Sequence, residues 1–164
     1  MAITYEPIAN ATVSGSSPVI TFSSIPATYT DLILVMNTTN ASNSEVRIRF
    51  NSDTGSNYSR TLLGGNGSVA YSIRSSNAAY IGLDSASFSG TAQGQNAIVQ
   101  VMNYANTTTY KTAISRANHA SYGVDATVGL WRSTNAITTI EVINSNAANW
   151  SASSTFTLYG IKAA

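Results

Sequence analysis

The chain has 164 residues, of which only 9% are charged against about 25% in an ordinary soluble domain, and its formal net charge is +1. Uncharged polar residues take the place of charge, with 24 serines, 20 threonines and 16 asparagines, while there is one histidine and no cysteine. Catalysis, thiolate metal binding and phosphate recognition draw on the scarce residue types, so the composition argues against an enzyme or a nucleic-acid partner and favours a structural or binding protein.

Short apolar or alternating segments, separated by turn residues, predict β-strands along the whole chain. In chain order, the predicted strands are 4–8, 18–22, 31–37, 45–50, 57–63, 69–74, 79–83, 97–104, 109–116, 126–131, 137–143 and 155–161. Turn signals recur roughly every ten to fifteen residues, and no stretch has helical periodicity. The predicted fold class is therefore all-β, a jelly-roll-like antiparallel β-sandwich in which about eight to eleven of these twelve segments form strands.

Two of these segments carry more detailed predictions. Segment 31–37 is apolar on both faces of the predicted strand, which is typical of a strand buried between two layers. Segment 45–50 alternates, so that its glutamate and two arginines share one face and its three apolar residues share the other. The outward positions of many strands carry threonine or serine rather than the charges that usually protect sheet edges, so we expect the edges to be covered within the fold or by another subunit.

Length and a hydrophobic content of 43% fit one domain over residues 1–164, with residues 1–7 as an N-terminal arm that could reach a neighbour. The first residues lack the basic and apolar regions of a signal peptide, and the longest apolar run, 32–36, is too short to span a bilayer. We therefore expect no membrane association and no cofactor.

The residues that could carry chemistry each have a simpler interpretation. Glu45 and Glu141 lie on predicted strands and could form a glycosidase pair, but solvation or pairing with a neighbouring arginine is the favoured role. Asp53 lies in the turn 51–55, where it could bind Ca²⁺ but more simply caps its own turn. His119 has no nucleophile elbow to accompany it, so a surface or interface role is favoured and no catalytic or metal residue is assigned.

Aromatic residues are the best candidates for contacts with a partner or a glycan. Trp131 ends an apolar strand and is favoured as a core residue, whereas Trp150 lies in a polar stretch and is equally consistent with a contact residue and a loop anchor. The candidate contact residues are Trp150, Trp131, His119 and Tyr122. The long polar loops 37–44, 84–94 and 144–154 are candidate contact segments.

Five blocks resemble, in order, small jelly-roll virion structural proteins of tailed bacteriophages of the cyanophage and marine-phage type. They are TFSSIPATYTDL at 21–32, RFNSDTGSNYS at 49–59, MNYANTTTYKT at 102–112, GLWRSTNAIT at 129–138 and FTLYGIK at 156–162. The resemblance implies a β-sandwich displayed on a phage particle, made in the host bacterial cytoplasm and then incorporated into the virion.

Within that family, the resemblance implies a capsid cement or decoration protein on the head surface, bound to the major capsid protein and acting as a homotrimer at three-fold positions. The chain has no coiled-coil or shaft sequence of the kind that a whole tail fibre needs, which favours the head. The alternative is a tail-fibre or tail-associated module that binds a host glycan through Trp150, Trp131 or exposed tyrosines.

Overall fold

The computed structural model describes residues 4–39, 44–85, 94–119 and 122–162. In these ranges the backbone forms twelve strands and no helix. Their bounds are β1 Tyr5–Thr12, β2 Val19–Phe22, β3 Asp31–Thr38, β4 Val46–Phe50, β5 Tyr58–Gly65, β6 Ala70–Ala78, β7 Ile81–Gly82, β8 Gln95–Met102, β9 Lys111–His119, β10 Gly123–Trp131, β11 Ile140–Asn144 and β12 Thr155–Ile161. The all-β prediction is confirmed, with more strands than expected.

The strands form two antiparallel sheets. The large sheet has eight strands in the order β1-β12-β3-β8-β9-β10-β5-β6, and the small sheet has four in the order β2-β11-β4-β7. Early strands pair with late ones. Strand β12 lies between β1 and β3, and β11 lies between β2 and β4. This is the nested pairing expected of a jelly roll. The jelly-roll-like β-sandwich is therefore confirmed.

The predicted N-terminal arm is wrong for the part of it that the structure describes. Tyr5, Glu6 and Pro7 lie in β1 and pair with residues 159–161 at the end of the chain. Residues 1–3 lie outside the described ranges. Backbone hydrogen bonds to β12 hold this segment in the sheet as an edge strand.

The core lies between the two sheets and is built from the inward positions of alternating strands. In β4 the apolar Val46, Ile48 and Phe50 are at most 1% exposed, as the alternation predicts. Phe50 packs against Trp131 from β10, with ring centroids 5.6 Å apart, and Trp131 stacks on Tyr58 at 6.1 Å. Burial raises the pKa of Tyr58, whose hydroxyl is held by the backbone of Phe50.

The prediction that β3 is covered on both faces is wrong. Leu32, Leu34 and Met36 point into the core and are at most 2% exposed. On the other side Ile33 is 9% exposed and Val35 is 37% exposed, so that side is only partly covered, because the described chain places no third layer there. Within the described ranges there is also no helix with the length and apolar character needed to cross a membrane.

Candidate interaction surface

The side of the large sheet that faces away from the small sheet is here called the outer face. It is formed by the outward residues of β3, β8, β9, β10 and β5, and strand register sets them in lateral rows. One row consists of Val35, Ile98, Arg116, Ala126 and Leu63, and the next of Ile33, Gln100, Ile114, Val128 and Thr61. Aliphatic side chains dominate both rows.

Four aliphatic side chains of the outer face are open to solvent. The exposed fraction is 62% for Leu63, 60% for Val124, 52% for Val128 and 44% for Ile114. Single exposed aliphatics are ordinary, but a contiguous group of them on one sheet face marks an interaction site. β-branched residues are common in strands whether they are buried or exposed. The sequence alone therefore does not distinguish these exposed residues from core residues.

The outer face contains two adjoining depressions of about 530 and 560 Å³. Ile98, Arg116 and Ala126 line both of them, so they are parts of one groove. The small side chain of Ala126 lies between the larger Arg116 and Leu63 in its row and lowers the floor there. A groove of this shape accepts protruding side chains from a partner.

Polar groups border the groove. Asn37, Asn96 and Asn118 occupy neighbouring positions on β3, β8 and β9, and all three are exposed. Their amides present both donors and acceptors beside the apolar rows. At the opposite margin, the carboxylate of Asp31 already accepts hydrogen bonds from Gln100 Nε2 at 2.9 Å and Asn103 N at 2.8 Å.

The glutamates considered for catalysis pair with arginines. Glu141 accepts a bond of 3.3 Å from Arg49 Nη1, and Glu45 is bound by Arg47 and Arg60. Glu45 and Arg60 have side chains only 8% and 9% exposed, so this ion pair is buried. The arginine-pairing interpretation is thereby confirmed.

Asp53 caps its own turn, as its simpler interpretation predicts. Its carboxylate accepts hydrogen bonds from Gly55 N at 2.8 Å, Asn57 Nδ2 at 2.9 Å and the indole Nε1 of Trp131 at 2.7 Å. Burial raises the pKa of Asp53, but the hydrogen bonds from Trp131, Asn57 and Gly55 outweigh burial and leave the pKa lowered. The turn itself places Asn51 and Ser52 at positive φ.

A second buried polar group lies at the end of the sandwich, beside the Glu45–Arg60 ion pair. Asp84 is fully buried and accepts bonds from Val46 N at 3.2 Å and Gln95 Nε2 at 2.7 Å. Asp125, also buried, accepts 2.8 Å bonds from the Tyr71 hydroxyl and Ser85 N. In the ranges that the structure describes, no three histidine, aspartate or glutamate side chains are placed to hold a metal ion.

The structure corrects three of the four predicted contact residues, the two tryptophans and His119. Trp131 and Trp150 are each 2% exposed, so neither indole can stack on a glycan or anchor a partner. Trp150 is instead a loop anchor: its backbone N donates to Ser17 O at 3.0 Å, and its ring packs on Phe156 with centroids 5.3 Å apart. The polar stretch of sequence around Trp150 hides this role because its hydrogen-bond partner, Ser17, is distant in sequence.

Tyr122 lies beside one end of the outer face, and His119 occupies an inward position at the end of β9. His119 is 3% exposed, which is contrary to a surface role, whereas Tyr122 is 36% exposed. Both line an open depression of about 500 Å³ that also includes Val124 and Asn118. Of the candidate loops, 40–43 and 86–93 lie outside the described residues, and 144–154 is held down by Trp150.

Sequence reasoning missed the aliphatic residues of the outer face, although β10 contains a signal for them. Its outward positions are Val124, Ala126, Val128 and Leu130, so this strand, like β3, is apolar on the face that the core does not use. A half-exposed strand of a protein without a docking surface carries polar residues there.

No family model matches this chain, and no curated protein matches it. Among solved structures, it is similar to a mutant of an alginate lyase solved in complex with an alginate tetrasaccharide. The identity is 11%, the match covers 82% of this chain and 70% of that chain, and the TM-score is 0.38.

Proposed function

We propose that this chain is a structural protein of a tailed-bacteriophage virion, a capsid decoration protein that binds the outer surface of the major capsid shell. One observation carries the proposal: the outer face of the large sheet is apolar, grooved and open. The sequence resemblance to virion structural proteins supplies the identity of the assembly, and the outer face supplies a surface with which to join it.

The dimensions of the outer face suit a docking surface. Five strands spaced about 4.8 Å apart and seven residues rising about 3.4 Å each give a face of about 24 Å by 24 Å. That is about 600 Å² of planar area, near the contribution of one partner to a small specific interface. A decoration protein that binds the assembled shell and not its dissociated subunits stabilises the shell by mass action.

A homotrimer at three-fold positions strengthens such docking. Three modest faces presented together bind with an avidity that no single face has. Within the described ranges no strand covers the edge of β6, which ends the large sheet and has nine residues with Arg74 as its one charge, so this edge suits assembly.

The alternative, a tail-associated module that binds host glycans, has less support from the surface. Sugars stack on aromatic rings, and both tryptophans are buried. The outer face offers aliphatic residues in their place, with the pair Tyr5 and Tyr159 at its β1–β12 margin. Aliphatic grooves suit protein side chains better than sugar rings.

Locating the chain on virions that contain it tests the proposal. We expect specific antibodies, seen by electron microscopy, to label the head surface in a regular array. Labelling confined to the tail would overturn the decoration role. A binding assay with shells of the virion's major capsid protein tests whether the outer face makes the contact. The threonine variant, Ile114→Thr/Val124→Thr/Val128→Thr, keeps branched side chains on the strands. It should bind at least tenfold more weakly than the wild type.

A further inference from the structure

Two of the eight basic side chains have no partner among the residues that the structure describes. Arg116 lies at the centre of the outer face and Arg74 lies on the same side of β6, opposite Thr61. Neither forms a hydrogen bond or ion pair with any residue in the described ranges, and both are exposed. The other six cations are engaged: Arg47, Arg49, Arg60, Lys111, Arg132 and Lys162.

The carboxylates, unlike Arg116 and Arg74, all have partners within the chain. Each side-chain carboxylate already accepts at least two hydrogen bonds from other groups of the chain. The seven are Glu6, Asp31, Glu45, Asp53, Asp84, Asp125 and Glu141. A second copy of this chain therefore offers Arg116 only carboxylates that are already engaged in its own fold, and pairing with Arg116 would compete with those existing bonds.

Covering the outer face requires an anion from elsewhere. A partner that buries Ile98, Ala126 and Leu63 also removes water from Arg116, which shares their row. Burying an unpaired guanidinium is strongly unfavourable, whereas a carboxylate that meets it forms a short, charge-assisted pair. Arginine at the centre of an apolar patch is also the usual composition of a binding hot spot.

We propose that the outer face binds a different protein whose surface presents an aspartate or glutamate within an apolar patch, with that carboxylate paired to Arg116. This inference rests on the proposed function, in which the outer face is the docking surface, and it specifies the chemistry of the partner. Arg74 lies three strands away, about 14 Å across the sheet, and suits a second acidic residue at the rim of the same contact. The asparagines at positions 37, 96 and 118 suit the polar rim.

Sedimentation of the purified protein with shells of the virion's major capsid protein tests the inference at low and at high salt. At low salt, Arg116→Gln should weaken binding about tenfold to a hundredfold, Arg116→Glu should weaken it further, and Arg116→Lys should retain part of the affinity. The matched control is Arg132→Gln, which removes a half-buried guanidinium bound to Ser56 O and Asn77 Oδ1; it should bind like the wild type. Raising salt should weaken the wild type more than Arg116→Gln.

The outcomes separate this inference from the proposed function. If wild-type protein does not bind shells, both are overturned. If it binds and the threonine variant does not, but Arg116→Gln binds within twofold of the wild type, the docking role stands and the acidic partner is wrong. If polygalacturonate, an acidic polysaccharide, binds in an Arg116-dependent way and shells do not, the ligand is a glycan and the inference is overturned.

Discussion

The indole Nε1 of Trp131 donates a hydrogen bond of 2.7 Å to the Oδ2 of Asp53, joining the end of β10 to the turn between β4 and β5. Those two strands belong to different sheets, so this bond fastens the crossover from the small sheet to the large one. Trp131 is 2% exposed, and its N–H loses its partner if the carboxylate is removed.

Asp53→Ala should therefore destabilise the protein by about 1–3 kcal/mol in urea unfolding, because it leaves a buried indole N–H unsatisfied. Asp53→Asn keeps a carbonyl oxygen as acceptor and is the matched control, with a smaller loss expected. Equal losses for the alanine and asparagine variants would show that the hydrogen bond to Trp131 contributes little to stability.

The lowered pKa of Asp53 predicts a pH dependence. The pKa in the folded protein lies below the unfolded value of about 3.9, so the charged carboxylate adds stability above about pH 4, and this stability is lost as the pH falls through the folded value. The melting temperatures of wild type and Asp53→Asn should differ at neutral pH and converge in acid. A difference that stays constant from neutral pH to below pH 3 would contradict this assignment.

The buried ion pair between Glu45 and Arg60 depends on Gly82. A Cβ at position 82 would overlap the guanidinium of Arg60 and the carboxylate of Glu45, so Gly82→Ala should separate the pair and destabilise the fold by about 3 kcal/mol or more. Gly15→Ala is the control, because a Cβ at Gly15 has nothing within 4 Å, and its effect should stay within about 1 kcal/mol. Comparable losses in the two variants would exclude the ion pair as the cause.

Both tryptophans are buried, which predicts their fluorescence. Emission from the folded protein should be blue-shifted relative to free tryptophan and resist quenching by acrylamide, and denaturant should abolish both properties. Trp150→Phe and Trp131→Phe separate the two signals. A red-shifted, readily quenched component that disappears in Trp150→Phe would restore Trp150 as a surface contact residue.

The open outer face predicts dye binding and self-association without any partner. Exposed aliphatic groups bind the apolar dye ANS and lower solubility, so the threonine variant should bind less dye and precipitate at a higher ammonium sulfate concentration than the wild type. Its unfolding free energy should change by less than about 1 kcal/mol, since the three side chains are exposed. Equal dye binding by both proteins would locate the accessible apolar surface elsewhere.

Strand positions and inward faces follow from local sequence. Segment 155–161 was predicted with the bounds that β12 has, and the alternation in β4 correctly assigns its buried residues. Period-2 patterning works here because side chains on adjacent residues must point to opposite sides of a strand. The turn at Asn51 and Ser52 is equally local, since it depends on residues that tolerate positive φ.

What the sequence alone determined is the fold class, most strands and the scarcity of charge. Only the tertiary structure decided which apolar faces are covered: Leu34 lies in the core and Val35, its neighbour in β3, lies on the open outer face. The same holds for Trp150, whose backbone N donates to the distant Ser17 O, and for Arg116, which has no carboxylate partner among the described residues. The physical reason is that strand patterning is local, whereas coverage and ion pairing depend on which distant strands become neighbours, and only the completed sheets determine that.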